Sequence, residues 1–178
     1  MPDEAPAERG ATLIVMSGLQ AAGKSVVADA LGRSLQAPVL SVDPIEAAMW
    51  QSGVARDQPT GLAAYVVADI LARRQVALGL TVIIDAVNAV APARDQWRDI
   101  ARDYGARIRV IEVVCSDEGE HRRRLATRVR DLPGFPEPSW DDVVRVRGEY
   151  EPWDEDHLVL DSTDDPDANL ARALDYIH

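Results

Sequence analysis

The chain has 178 residues, enough for one ordinary domain, and its 47% hydrophobic and 28% charged residues exclude a disordered tail or a fibrous repeat. Nineteen Lys and Arg stand against 30 Asp and Glu, so the formal charge of −11 repels polyanions and makes long nucleic acid or an anionic membrane a poor partner. The single cysteine, Cys115, excludes an internal disulfide framework and a cysteine-based zinc site, and it fits a reducing, cytoplasmic setting.

Residues 1–10 are acidic and rich in Pro and Ala, lack the basic start and apolar stretch of a secretion signal, and read as a frayed tail. Residues 11–178 then read as one domain. A strand at Thr12–Ser17 is followed by a helix at Lys24–Leu35, a strand at Val39–Val42 and a helix at Pro44–Trp50. The next helix, Gly61–Leu78, carries Leu62, Val66 and Ile70 four apart, which predicts its packing stripe. After it come a strand at Thr81–Asp85, a helix at Pro92–Tyr104, a strand at Arg107–Val114 and a helix at Asp117–Arg130. Asp131–Ser139, with three prolines and a glycine, reads as an irregular flap. The chain closes with a helix at Trp140–Tyr150, a strand at His157–Leu160 and a helix at Pro166–Ile177. The strands are short and mostly unalternating runs of Val, Ile and Leu, as strands buried on both faces are. The fold class is therefore α/β, a parallel sheet between helical layers, with no apolar run near the roughly 20 residues that cross a bilayer. In such folds ligands gather where strands end at their carboxyl edge.

The loop after the first strand reads Gly18-Leu19-Gln20-Ala21-Ala22-Gly23-Lys24-Ser25, a full G-x-x-x-x-G-K-S phosphate loop between strand and helix. Backbone N–H groups from Gly18, Gln20, Ala21, Ala22, Gly23 and Val26, with the helix dipole, would cradle phosphates. Lys24 would reach the β- and γ-phosphates and Ser25 would ligate Mg²⁺. Lys24 is also the one lysine in the sequence; the other basic residues of the Lys/Arg set are arginines. Asp43, followed by Pro44, reads as a helix N-cap, and its place beside the phosphate loop also suits a general base. Asp85 ends an apolar strand as the sole charge between Gln75 and Ala93, the expected position of an acid on the metal side. Asn88 reads as a substrate contact or as a turn residue, and Trp50 as a wall of an acceptor pocket. Arg124 and Arg128, four apart, predict a pair on one face that closes over the nucleotide. Arg122 and Arg123 read as a solvated face paired with Glu118 and Glu120. The acidic group Asp161, Asp164, Asp165 and Asp167 reads as a turn and cap, because Pro166 and Arg172 stand where a calcium loop needs Gly and Glu. His121, His157 and His178 lack metal-ligand spacing.

Together the phosphate loop, the Asp43 after the second strand, the Asp-Ala-x-Asn run from Asp85 to Asn88 and Arg-Leu-x-x-Arg from Arg124 to Arg128 resemble small P-loop kinases with an AAA-type ATP-binding core, the group related to chloramphenicol phosphotransferase, polynucleotide kinase and zeta toxins. The resemblance runs from about Thr12 to Tyr176. It implies a five-stranded parallel sheet in the order 2-3-1-4-5, a helical lid over about residues 117–139, Asp43 as general base, and Arg124 and Arg128 holding adenine and phosphates. Val26 stands where the group often has Thr, and Gln20, Ala21 and Ala22 replace its usual Pro, Gly and Ser. The expected activity is transfer of the ATP γ-phosphate, with Mg²⁺, to a hydroxyl of a small molecule. The alternatives are a nucleoside or polynucleotide 5′-hydroxyl kinase and a non-catalytic ATP-binding switch. The acceptor and the oligomeric state are not legible in the sequence.

Overall fold

The computed structural model describes residues 10–129 and 132–178. The expected tail, apart from Gly10, lies outside the described residues, as do residues 130 and 131 at the lid helix's expected end and the flap's start. Five strands, β1 (Thr12–Ser17), β2 (Val39–Ser41), β3 (Val82–Asp85), β4 (Arg107–Val114) and β5 (Leu158–Asp161), form one sheet in the order β2-β3-β1-β4-β5. Every pairing is parallel, so the order implied by the resemblance is the observed one. The helices are α1 (Lys24–Leu35), α2 (Val42–Gln51), α3 (Thr60–Ala77), α4 (Ala91–Tyr104), α5 (Glu118–Thr127), α6 (Trp140–Glu149) and α7 (Pro166–Ile177). This is the three-layer P-loop architecture; of the lid expected over about residues 117–139, the helical part is α5.

Alternate residues of each strand enter opposite layers, the period-2 consequence of the pleat. Leu13, Val15, Val82, Ile84 and Val110 pack with α3 and α4, where Trp97 and Ile100 are fully buried. Ile14, Met16, Ile83, Ile111 and Leu160 pack with α1 and α7 through Ala28, Leu31, Ala173 and Ile177. Register then fixes the site. Asp85 is opposite Met16 on one side and Ser41 on the other, at the carboxyl edge where the P-loop leaves β1.

Expectations in three helices need correction, the first in α3. The sheet-facing stripe of α3 is Thr60, Ala64, Ala68, Ala72 and Val76, all buried, whereas Leu62, Val66 and Ile70 are 68%, 49% and 61% exposed. Both rows have the same four-residue spacing; the alanine row packs inward because a methyl group lets the helix lie close to the sheet. The second correction is at the ends of α2 and α5. α2 starts at Val42 with Ser41 as N-cap, so Asp43 lies in the first turn instead of capping it. α5 stops at Thr127, and Arg128 follows in extended backbone, off the helix that carries Arg124.

Candidate active site

Two glycines shape the P-loop. Gly18 has φ +129, and a Cβ there would meet the Val113 carbonyl oxygen at 2.2 Å; Gly23, φ +106, precedes α1, and its Cβ would lie 2.9 Å from Ser162 Cβ. Between them Ala21 holds φ +59, a left-handed conformation that costs a residue with a Cβ on the order of 1–2 kcal/mol. The loop closes although Ala stands where the resemblance leads one to expect Gly. No side chain caps α1 and its first turn has no acid, so the positive dipole end is not offset there; of the N–H groups expected to cradle phosphates, those of Gly18, Ala22 and Val26 donate instead to the Val87, Leu19 and Gly23 carbonyls.

Lys24, buried at the start of α1, donates from Nζ to the Leu19 carbonyl at 2.7 Å. Burial pushes its ammonium below the usual lysine range, Asp85 and Asp43 oppose that shift, and Arg128 adds to it. Asp85, 8% exposed, accepts at Oδ2 from Ser25 Oγ at 2.8 Å and from Ser41 Oγ at 3.1 Å. The Ser25 and Asp85 oxygens are hard donors, and among the described residues no group of three or more His, Cys, Asp or Glu side chains could hold a metal. That set fits Mg²⁺, which keeps several waters and takes further ligands from phosphate oxygens.

Three cavities border the P-loop, and two of them share residues of it. One, of about 490 Å³, is lined by Val26, Arg124, Ser162, Asn169 and Leu170. The other, of about 330 Å³, is lined by Gln20, Ser41, Asp43, Asp85 and Leu132. Lys24, Ser25 and Arg128 line both. Arg124 is fixed beside the first, donating from Nη1 to Ser162 Oγ at 2.7 Å, from Nη2 to the Ser162 carbonyl at 3.0 Å and from Nε to Glu120 at 2.7 Å. Arg122 and Arg123 pair with Glu118 and Glu120 at 2.8 and 2.6 Å, the solvated ladder expected of them. Asp165 caps α7 by accepting from Ala168 N at 2.9 Å, as its turn-and-cap reading implies.

Asn88 is fully buried with φ +50, and both ends of its amide bind protein. Nδ2 donates to the Met16 carbonyl at 2.7 Å, and Oδ1 accepts from Trp97 Nε1 at 2.9 Å. Of its two readings, the geometry corresponds to the turn residue and not to the substrate contact. Trp50 does not line the 330 Å³ cavity. It stacks on Phe135 with centroids 5.1 Å apart and donates from Nε1 to Thr60 at 2.9 Å, so it ties α2 to the segment after the lid helix.

Sequence reasoning missed several residues that build this edge. His121, 2% exposed on α5, contacts the Gln20 carbonyl from Nε2 at 2.7 Å; a carbonyl only accepts, so that nitrogen carries the proton. Arg94, also 2% exposed, donates to the backbone carbonyls of Asn88, Ala89, Glu151 and Pro152 and lies 4.0 Å over the Trp153 ring. Tyr65 OH accepts from Asn88 N at 3.3 Å, and burial pushes its phenol up to about 12.

A family model described as an AAA domain matches residues 13–148. The chain belongs to the AAA domain family. No curated protein matches this AAA domain by sequence. Among solved structures it is similar to a protein from Chloroflexus aurantiacus at 20% identity and TM-score 0.76, covering 96% of this chain and 97% of that one. It is similar to an APS kinase from Mycobacterium tuberculosis in complex with AMPPNP and APS, at 19% identity and TM-score 0.66, covering 94% and 97%. A gluconokinase from Sinorhizobium meliloti has 14% identity and TM-score 0.67, with 97% and 93% covered. At these identities the likeness is one of fold. No helix among the described residues is long and apolar enough to cross a membrane.

Proposed function

We propose that this AAA domain is an ATP-dependent kinase that transfers the γ-phosphate to a hydroxyl of a small molecule. The observation that carries this reading is the pair of joined cavities. Lys24, Ser25 and Arg128 border both, while Asp43 borders only the second. A nucleotide with its base between Arg124 and Leu170 would bring its terminal phosphate to the shared residues, and a hydroxyl on the far side would meet Asp43. Structures of this fold with a nucleotide analogue and an acceptor together, such as the APS kinase with AMPPNP and APS, support the two-site reading.

In this mechanism the P-loop N–H groups and Lys24 hold the β- and γ-phosphates, replacing the Leu19 carbonyl as the partner of the buried ammonium. Ser25 Oγ and Asp85 would hold Mg²⁺, which when bound offsets phosphate charge. Asp43 accepts the acceptor's hydroxyl proton on a carboxylate oxygen as the oxygen attacks. Arg128 neutralises charge that develops on the transferred group, and lid closure excludes water.

ADP release in the presence of a metabolite panel tests the reading, with Lys24→Ala as the control. That variant should lose turnover and bind ATP more weakly, since a methyl group cannot balance phosphate charge. A folded Lys24→Ala protein with unchanged turnover would refute the assignment. A binding switch, in contrast, would show ATP binding without acceptor-dependent ADP release.

A further inference from the structure

We infer that His121 on α5 is a positioning residue for the phosphate loop: its hydrogen bond to the Gln20 carbonyl holds the Gln20–Ala21 peptide in the plane that turns the Ala21 N–H toward the nucleotide's phosphates. The inference rests on the nucleotide-binding part of the reading above. His121 is 2% exposed, and its Nε2–H donates to the Gln20 carbonyl at 2.7 Å. That carbonyl and the Ala21 N–H belong to one peptide unit, which is planar and trans, so the two groups point in opposite directions. His121 lines a cavity together with Leu19 and Ala22, whereas Ala21 lines the 490 Å³ cavity with Gly23, Lys24 and Ser25. A bond on one side of the loop therefore sets the direction of a donor on the other. Among the described residues nothing accepts from the Ala21 N–H, unlike those of Gly18, Ala22 and Val26, which leaves it to a phosphate oxygen.

The alanine gives this bond its purpose. Ala21 holds φ +59, the left-handed region that a residue with a Cβ disfavours. Turning the Gln20–Ala21 peptide over would carry that φ into the negative range and relieve the alanine. It would also aim the Gln20 carbonyl oxygen, in place of the N–H, at the phosphates, a repulsive contact. A glycine would favour neither sign of φ and would need no restraint. His121 supplies the restraint, because the carbonyl meets the imidazole only in the unflipped plane. The ring is itself held in place: Trp140 meets it edge-on with centroids 5.3 Å apart, Asp117 caps α5 by accepting from Glu120 N at 3.0 Å, and Arg124 ties the helix to Ser162 at 2.7 Å.

The test measures MgADP affinity by calorimetry in the wild type, His121→Phe, His121→Gln, Ala21→Gly and the double variant Ala21→Gly/His121→Phe. Phe keeps a ring against Trp140 and lacks the donor; the Gln amide restores an N–H near the position of Nε2. One neutral hydrogen bond corresponds to about 3- to 10-fold in an equilibrium, so His121→Phe should weaken MgADP binding by that factor and His121→Gln should recover it. In the Ala21→Gly background His121→Phe should cost less than about 2-fold, since the flip no longer relieves strain. A residue that only supports the fold would lower the melting temperature and cost the same in both backgrounds. The inference is overturned by a folded His121→Phe protein that binds like the wild type, by His121→Gln binding as weakly as His121→Phe, or by an equal loss in the Ala21→Gly background. Should His121→Phe not fold, the ring-nitrogen NMR spectrum of the wild type decides: a proton on Nε2 with and without MgADP upholds the inference, and a bare Nε2 overturns it. Wild type that binds MgADP but phosphorylates no acceptor sinks the kinase reading alone, whereas wild type that fails to bind MgADP sinks both.

Discussion

Asp43 and Asp85 both lie in the electrostatic field of Lys24, yet their surroundings differ in a way that separates their proposed tasks. Asp85 is nearly buried and its Oδ2 is held by two serine hydroxyls, an oriented oxygen suited to a metal's water shell. Asp43 stands in the first turn of α2, where the helix dipole favours its charge, and lines the acceptor cavity. Asp43→Asn is therefore expected to lower kcat by about 10²–10⁴-fold, the usual contribution of a general base, with MgATP affinity and melting temperature nearly unchanged. Asp85→Asn should raise the Mg²⁺ concentration needed for half-maximal rate. Titrating Mg²⁺ against rate in both variants decides the matter: rescue of Asp43→Asn by excess Mg²⁺, without rescue of Asp85→Asn, would show the roles to be exchanged. The placement of these two acids was legible because Asp85 ends its strand and Asp43 stands two residues past the end of another, so local order alone carried them to the carboxyl edge.

Among the elements, α3 shows where periodicity stops being informative. Two rows four residues apart run along it, and the sequence offered the larger side chains as the packing row. The sheet instead receives Ala64, Ala68 and Ala72, each fully buried, so close approach decided the orientation where side-chain area did not. Ala68→Leu should then cost about 1–3 kcal/mol by overpacking, whereas Leu62→Ala, at a position 68% exposed, should change stability by no more than about 0.5 kcal/mol. Urea unfolding of both variants reads this directly, and a larger loss at Leu62 than at Ala68 would reverse the assignment of faces. The end of α5 was misread for a related reason. Arg128 continues the helical spacing of Arg124 but lies beyond Thr127 in extended backbone, where it lines both the 490 Å³ and the 330 Å³ cavities, whereas Arg124 lines only the first.

For the molecule as a whole, the carboxyl edge is held by residues whose partners lie far away in sequence. Asn88 binds Met16, and Arg94 joins the loop after β3 to residues 151 and 152. The sequence shows Arg94 as one more arginine on a charged helix, because nothing local records that four carbonyls from two segments converge on it. Arg94→Met is expected to cost about 1–3 kcal/mol, since it removes the donor to the carbonyl of the buried Asn88. ATP affinity of the folded fraction should hold, because Arg94 lines none of the three cavities at the P-loop. A melting curve with and without nucleotide separates the two effects, and an unshifted melting temperature would contradict the architectural role. The place of His121 escaped notice for the same reason, since its contact to Gln20 spans 101 positions.

A final consequence follows from the lone lysine. This chain has a single side-chain ε-amine, and that amine is the buried Nζ at the head of α1. Any acyl group transferred to a lysine of this protein, from a cellular acyl donor or from an acyl-phosphate derivative of a nucleotide, has one address. Peptide-level mass spectrometry at Lys24 after such treatment would therefore report occupancy of the P-loop, and bound nucleotide should protect against it. The same uniqueness makes lysine acylation an all-or-nothing event here, since no modified lysine could leave the phosphate-binding ammonium intact.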